Sequence, residues 1–271
     1  MTELQRIDHT YSAYRDDSDI GQLNQRAGLA AMRVSPEMLY LLGRARSLSE
    51  MTAGAFDITF GSVGFDYDYR ARIRPSRREL EDARGAINYR SVELDPLRSE
   101  VRFRNAGTRI GLGGVAKGYA VERAARQMRR AGVLSGLVTI GGDSRFIGDR
   151  RGRPWSMGVQ DPRSSRDLIA LLPVVDEAVS TSGDYARYFV EDGVRYHHIL
   201  DPDTGEPARG SRSVTVVGPD AVQTDGLSTG VFVLGVDAGI DLINALPGYE
   251  AVIVDSQGQL HYSSGIAPAP E

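Results

Sequence analysis

Gly111-Leu112-Gly113-Gly114-Val115-Ala116-Lys117-Gly118 is the stretch whose reading decides the fold. It leads from a strand-like segment into a helix that runs through Ala131 and stops at Gly132. Its spacing satisfies G-x-G-x-x-A, the phosphate turn of a dinucleotide-binding unit. A Rossmann dehydrogenase would continue as alternating strands and helices. Here strand patterns predominate instead, at 137–140, 156–160, 169–174, 178–182, 186–190, 196–200, 213–217, 251–255 and 260–263, with short polar turns such as Asp192-Gly193 between several of them. Two helices interrupt this half, at 224–234 and 238–246. Strands joined by tight turns pair antiparallel, so the pattern predicts an α+β fold, mostly antiparallel sheet with flanking helices. The P-loop pattern fails as well, because Gly118 and not Ser or Thr follows Lys117.

Upstream of this turn the chain is richer in helix signals. Leu4, Ile7 and Tyr11 recur at helical spacing, and Asp16 to Asp19 form a cap cluster before a short helix through Asn24. Ser35-Pro36-Glu37 starts a helix with Pro in its first turn, and Met38, Leu41, Leu42, Ala45, Leu48 and Met51 make its apolar face. Ser76 with Glu79 is a capping box. Residues 91–110 read as a hairpin feeding a third segment. One domain, of one body or two intimate lobes, is expected over 1–266, with a disordered tail at 267–271.

Composition narrows the function. The 271 residues carry a formal charge of −4 and no basic run, which argues against a nucleic-acid partner. No apolar run reaches the length of about 18 residues that a membrane span needs. The absence of cysteine excludes thiolate zinc sites, iron–sulfur clusters and thiol catalysis. Among 32 basic residues only Lys117 is lysine, and it sits in the first turn of a helix, where a cation opposes the helix dipole. A bound phosphate would supply the partner it lacks, and the glycines ahead of it let a ligand come close to the backbone.

Further polar clusters follow. Gly141-Gly142-Asp143 reads as a turn. Ser180 to Tyr185 is a polar bend between strands. His197-His198 lie next to each other on a strand and so point to opposite faces, leaving one able to act as a base while the other is structural. Helical metal spacing is absent from this pair, so zinc is not expected. Asp225, Ser228 and Thr229 open a helix and share one face of it. A carboxylate with two hydroxyls is an all-oxygen half-cage suited to Mg²⁺, and an N-cap with solvated hydroxyls is the alternative.

Together these motifs resemble the ApbE family of FAD:protein FMN transferases. The resemblance rests on Tyr11-Ser-Ala-Tyr14-Arg15, Thr52-Ala-Gly54-Ala55-Phe56-Asp57, Gly113-Gly-Val-Ala-Lys117-Gly-Tyr119, Gly141-Gly-Asp143, Ser180-Thr-Ser-Gly183-Asp184-Tyr185, His198-Ile-Leu-Asp-Pro-Asp-Thr-Gly205 and Asp225 to Thr229, in that order. It implies that FAD is the substrate, contacted by Tyr14, Ala55, Phe56, Asp57, Lys117 and Ile199. It further implies Mg²⁺ on Asp225, Ser228, Thr229 and the Gly114 backbone, with His198 as the base for the acceptor. FMN would pass to a threonine hydroxyl of a target flavoprotein, such as a redox-pump subunit, and AMP would leave. A Mg²⁺-dependent FAD pyrophosphatase and a non-catalytic FAD binder are the alternatives. Where the family commonly has Asp this chain has Gly111. The chain opens at what looks like the family's first helix, without the strand that precedes it in the family and without a signal sequence. A periplasmic, membrane-associated location is implied by the resemblance alone.

Overall fold

The computed structural model describes residues 2–266; the tail expected to be disordered, 267–271, lies outside the described residues. The described helices are α1 (Glu3–Tyr11), α2 (Asp19–Arg26), α3 (Pro36–Met51), α4 (Gly61–Gly64), α5 (Arg77–Arg84), α6 (Ala116–Arg130), α7 (Ala221–Leu234) and α8 (Val236–Asn244). The strands are β1 (Met32–Arg33), β2 (Val92–Asp95), β3 (Glu100–Phe103), β4 (Gly136–Ile140), β5 (Asp143–Ile147), β6 (Trp155–Gln160), β7 (Leu168–Val174), β8 (Ala178–Gly183), β9 (Tyr188–Glu191), β10 (Val194–His197), β11 (Ser211–Gly218), β12 (Glu250–Asp255) and β13 (Leu260–Tyr262). Every strand pair is antiparallel, as an α+β fold requires.

The chain divides into two compact units. The first takes the residues up to Ala116 together with Arg187–Ala208, and the second takes Lys117–Ala186 with the residues from Arg209 onward.

In the first unit the expected caps are present. Ser35 accepts from the Met38 N–H, Pro36 follows it, and α3 buries Met38, Leu41, Leu42, Ala45 and Leu48. Ser76 and Glu79 form the reciprocal capping box at the start of α5. β2 and β3 pair as the expected hairpin, but β3 also pairs with β1, a strand of two residues that no period-2 pattern could have announced. A small core of Val63, Tyr67, Leu80 and Leu200 ties the α4–α5 region to the segment after β10.

The second unit is a six-stranded sheet in the order β13-β12-β11-β8-β5-β4. Alternation along its strands sorts the side chains to two faces. Val179, Val217, Val252 and Phe146 face one way and pack on Val159, Leu172 and Val174 of the β6–β7 hairpin. The other face meets α6 and α7, where Val121, Ala178 and Ala221 form an apolar contact with Val138 and Ile140 at its margin. β5 is a correction to the sequence reading, which placed Asp143 in a turn: Asp143 starts a strand whose five residues are all buried. Two charges disguise that strand. Arg145 is neutralised by Glu122 of α6 at 3.1 Å, and Asp143 is satisfied as described below.

Candidate functional site

The helix-facing side of the second unit's sheet is polar at its centre. β8 presents Ser180 and Ser182 on the same face, two residues apart. Ser180 lies 2.9 Å from Thr224 Oγ1, while Ser182 lies 2.9 Å from Ser228 Oγ and 3.0 Å from Thr229 Oγ1, all on α7. Ser180 also hydrogen-bonds to the Asp143 carboxylate on neighbouring β5.

Lys117 reaches into this zone from the first turn of α6. Its ammonium donates to Asp143 Oδ2 at 2.6 Å and to Asp225 Oδ1 at 2.7 Å. Both carboxylate side chains are 2% exposed, whereas Lys117 keeps 39%. The cation at this helix start therefore has two buried carboxylates of the protein itself as partners. Asp225 Oδ2 in turn accepts from the Gly118 N–H at 2.9 Å. It thus satisfies an orphan amide in the first turn of α6 and places a negative charge where the dipole favours one.

Asp225 is also corrected in position. It does not open α7, since that helix starts at Ala221 and is capped by Asp220, whose side chain accepts from the Gln223 N–H. Asp225 lies one turn inside, with Ser228 and Thr229 at i+3 and i+4 as expected. Their hydroxyls reach the Asp225 backbone carbonyl at 2.8 and 3.4 Å, not its carboxylate.

Burial works against the Lys117 charge, but Asp225 and Asp143 outweigh it and hold the ammonium well above the ordinary lysine range. Burial and then the Asp225 charge push Asp143 up to about 7, with Lys117 and Ser180 pulling the other way. Two carboxylates around one ammonium leave a buried excess of one negative charge, so the cluster has room for a proton or a cation. Among the described residues no group of three or more His, Cys, Asp or Glu side chains gathers as a metal cage. The donors that do gather are all oxygen: one or two carboxylates and several hydroxyls. That set fits Mg²⁺, which commonly uses one or two carboxylates and keeps several waters.

The first unit holds the other expected residues. Gly114 lies in the turn after Leu112, whose carbonyl accepts from Val115 and Ala116 as the chain winds into α6. Tyr14 is 76% exposed, set edge-on to Phe65 at 5.8 Å, with Arg187 Nη1 3.3 Å from its hydroxyl. Ala55 is half-buried and Phe56 buried. Asp57 is buried and already engaged, accepting from the Thr59 N–H at 2.7 Å, the Thr59 hydroxyl at 2.6 Å and the Tyr89 N–H at 2.8 Å. Burial raises its pKa above the usual carboxylate value although those bonds oppose the shift. All three partners donate, so Asp57→Asn would turn an amide N–H₂ toward a donor. We expect a loss of about 1–3 kcal/mol, read from the urea unfolding midpoint; an unchanged midpoint would show that the carboxylate does not brace this region.

β10 ends at His197, and the two histidines part there. His197 is buried, with Nε2 2.9 Å from the Ala208 carbonyl and Nδ1 3.3 Å from the Ile199 N–H. A carbonyl can only accept and an amide N–H can only donate, which fixes the neutral Nε2–H tautomer. His197 is thus a structural pin. His198 stands just past the strand, half-buried, its N–H on the Arg187 carbonyl. Ile199 is buried, and its carbonyl accepts from the Ala208 N–H. In the second unit the expected bend at 180–185 is strand as far as Gly183, and Asp184 just beyond it is held by both Nη atoms of Arg163 at 2.6 and 2.7 Å.

Sequence reasoning missed the pairing of Asp143 and the row of hydroxyls facing α7. The alternation Ser180-Thr181-Ser182 carried the second signal, since it puts two serines on one face.

An antiparallel α+β protein with a charged polar cluster at the start of a helix after a glycine-rich turn is the class these features define. The ApbE family model matches residues 1–253, and the chain belongs to that family. It is 34% identical to the FAD:protein FMN transferase of Treponema pallidum over 98% of this chain and 78% of that protein. Identity to the enzyme of the same name from Vibrio cholerae is 32% over 98% and 81%. Among solved structures, the ApbE protein of Thermotoga maritima superposes with a TM-score of 0.88 at 40% identity, covering 96% of this chain and 86% of the other. The flavin transferase ApbE from Vibrio cholerae gives 0.85 at 28%, covering 96% and 85%. Among the described residues no helix is long and apolar enough to cross a membrane.

Proposed function

We propose that this protein is a FAD:protein FMN transferase, which moves FMN from FAD onto a threonine hydroxyl of a target flavoprotein in a Mg²⁺-dependent reaction. The relatives' shared name supports the activity. The observation that carries the reading is the cluster at the start of α6: Lys117 between Asp143 and Asp225, beside the Ser228 and Thr229 hydroxyls.

In the step proposed, the threonine oxygen forms a bond to the phosphorus on the FMN side of the FAD pyrophosphate. The bond from that phosphorus to the bridging oxygen breaks, and AMP leaves with that oxygen. The threonine proton passes to His198. Lys117 spends two of its three N–H donors on carboxylates, and the third is left for a phosphate oxygen. Tyr14, Ala55, Phe56, Asp57 and Ile199 hold FAD. Asp225, Ser228, Thr229 and the Gly114 backbone would hold Mg²⁺. The chemistry a bound Mg²⁺ supplies is neutralisation of charge on the pyrophosphate oxygens, the main requirement of phosphoryl transfer. The partner class is a flavoprotein with an accessible threonine, such as a redox-pump subunit, met in the periplasm.

Incubation with FAD, Mg²⁺ and a threonine-containing acceptor peptide, followed by mass spectrometry, tests this. The expected result is FMN bound covalently to the peptide with AMP released in equal amount. Free FMN and AMP with no adduct would replace the reading with a pyrophosphatase. FAD retention without AMP would replace it with a binding protein.

A further inference from the structure

Lys117 ends in a compact ammonium on a flexible four-carbon stem, which by itself would sample many rotamers. Three neighbours confine it. Gly141, at φ +59°, has its missing Cβ position 3.1 Å from Lys117 Cδ, so the bare glycine lets the stem pass close to the backbone. At the head, Asp143 and Asp225 take one N–H each. Asp225 has a second task at the Gly118 amide, whereas the Asp143 contacts are to Lys117 and Ser180. Asp143 is 1% exposed, so its charge is held away from water at a real cost. A carboxylate there also repels the anion that Lys117 is to meet. A site shaped by charge alone would omit it.

We propose that Asp143 is a positioning residue for the transfer reaction, fixing the Lys117 ammonium against Asp225 so that its remaining N–H faces a phosphate of the substrate. This rests on the transferase reading above. Asp143 touches neither reacting group and acts through Lys117. Ser180 steadies it from β8, where the hydroxyl is itself anchored to Thr224.

The sign of one measurement separates geometry from charge. FAD binding is followed by flavin fluorescence in EDTA, so that no divalent ion contributes. The probes are the parent protein, Asp143→Ala, Asp143→Asn and Ser180→Ala. If Asp143 positions Lys117, Asp143→Ala weakens FAD binding about tenfold. Asp143→Asn recovers most of that loss, because its amide oxygen still accepts from the ammonium. Ser180→Ala weakens binding by a smaller factor. If Asp143 contributes charge alone, Asp143→Ala and Asp143→Asn both bind FAD more tightly than the parent, which overturns the proposal. An unchanged Kd in every folded variant overturns it too and leaves Asp143 a structural residue. Should Asp143→Ala fail to fold, the other two variants decide: modest weakening in both supports positioning, and tightening or no change refutes it. Absence of FAD binding by the parent protein both in EDTA and with Mg²⁺ added would instead overturn the transferase reading, and this inference with it.

Discussion

Lys117→Met should lose about 3 kcal/mol of folding stability at pH 8, the low end of the range for breaking a buried ion pair because Lys117 keeps 39% exposure, and should recover most of it by pH 5. Methionine matches the stem but leaves two carboxylates, each 2% exposed, facing one another with no cation between them. Burial and the neighbouring charge already lift Asp143 to about 7 with the ammonium present. Without it the drive toward the protonated form grows. A carboxylate whose folded pKa lies above its unfolded value contributes stability at low pH that is lost as pH rises through the folded value. The parent's Lys117 is shifted upward too, but from the lysine range, so its contribution persists up to alkaline pH. The gap between variant and parent therefore closes on acidification. Denaturant midpoints at pH 5 and pH 8 measure it. An equal gap at both values would mean that the carboxylates do not feel each other.

Gly118→Ala should be more damaging than its chemistry suggests. On helix propensity alone alanine gains about 1 kcal/mol over glycine inside α6. Here the added Cβ would fall 2.1 Å from the Ala221 carbonyl oxygen, 2.7 Å from its carbon and 2.9 Å from Asp225 Cβ. The obstacle is the backbone of α7, which cannot rotate aside as a side chain could. Forcing α6 and α7 apart also stretches the Gly118 N–H bond to Asp225. Overpacking of this kind together with a weakened buried hydrogen bond costs about 3 kcal/mol. For a chain of this size that is a fall in Tm of roughly 6–12 °C. A melting temperature equal to or above the parent's would show that the two helices can part freely.

Most of the scaffold was legible because its signals are local. The caps of α3 and α5 and the apolar face of α3 each depend on a few neighbouring residues, and they stand where the sequence reading put them. β5 was hidden because its charged residues are satisfied by residues distant in sequence, Lys117 and Glu122 among them. β1 was hidden because its two residues are recruited by β3 and have no pattern of their own. At the candidate site, the helical spacing of Asp225, Ser228 and Thr229 was readable. The partner of Lys117 was not, because Asp143 and Asp225 come to it from two other elements. The solitary lysine drew attention to this position through its place at a helix start, and the structure adds two carboxylates of the protein as its partners.

The order in which the chain visits its two units constrains how the protein can be made. β8 and β11 are neighbours in the centre of the second sheet, yet between them the chain leaves to add Arg187–Ala208 to the first unit. During synthesis the first unit stays unfinished until that late segment emerges. The β4-β5-β8 half of the second sheet meanwhile carries an open edge that only β11 can close. Such an edge invites pairing with other chains, and contacts this far apart in sequence form slowly. Neither unit can therefore be completed before the later half of the chain has emerged, and a nascent chain released after Ala186 would leave neither of them whole.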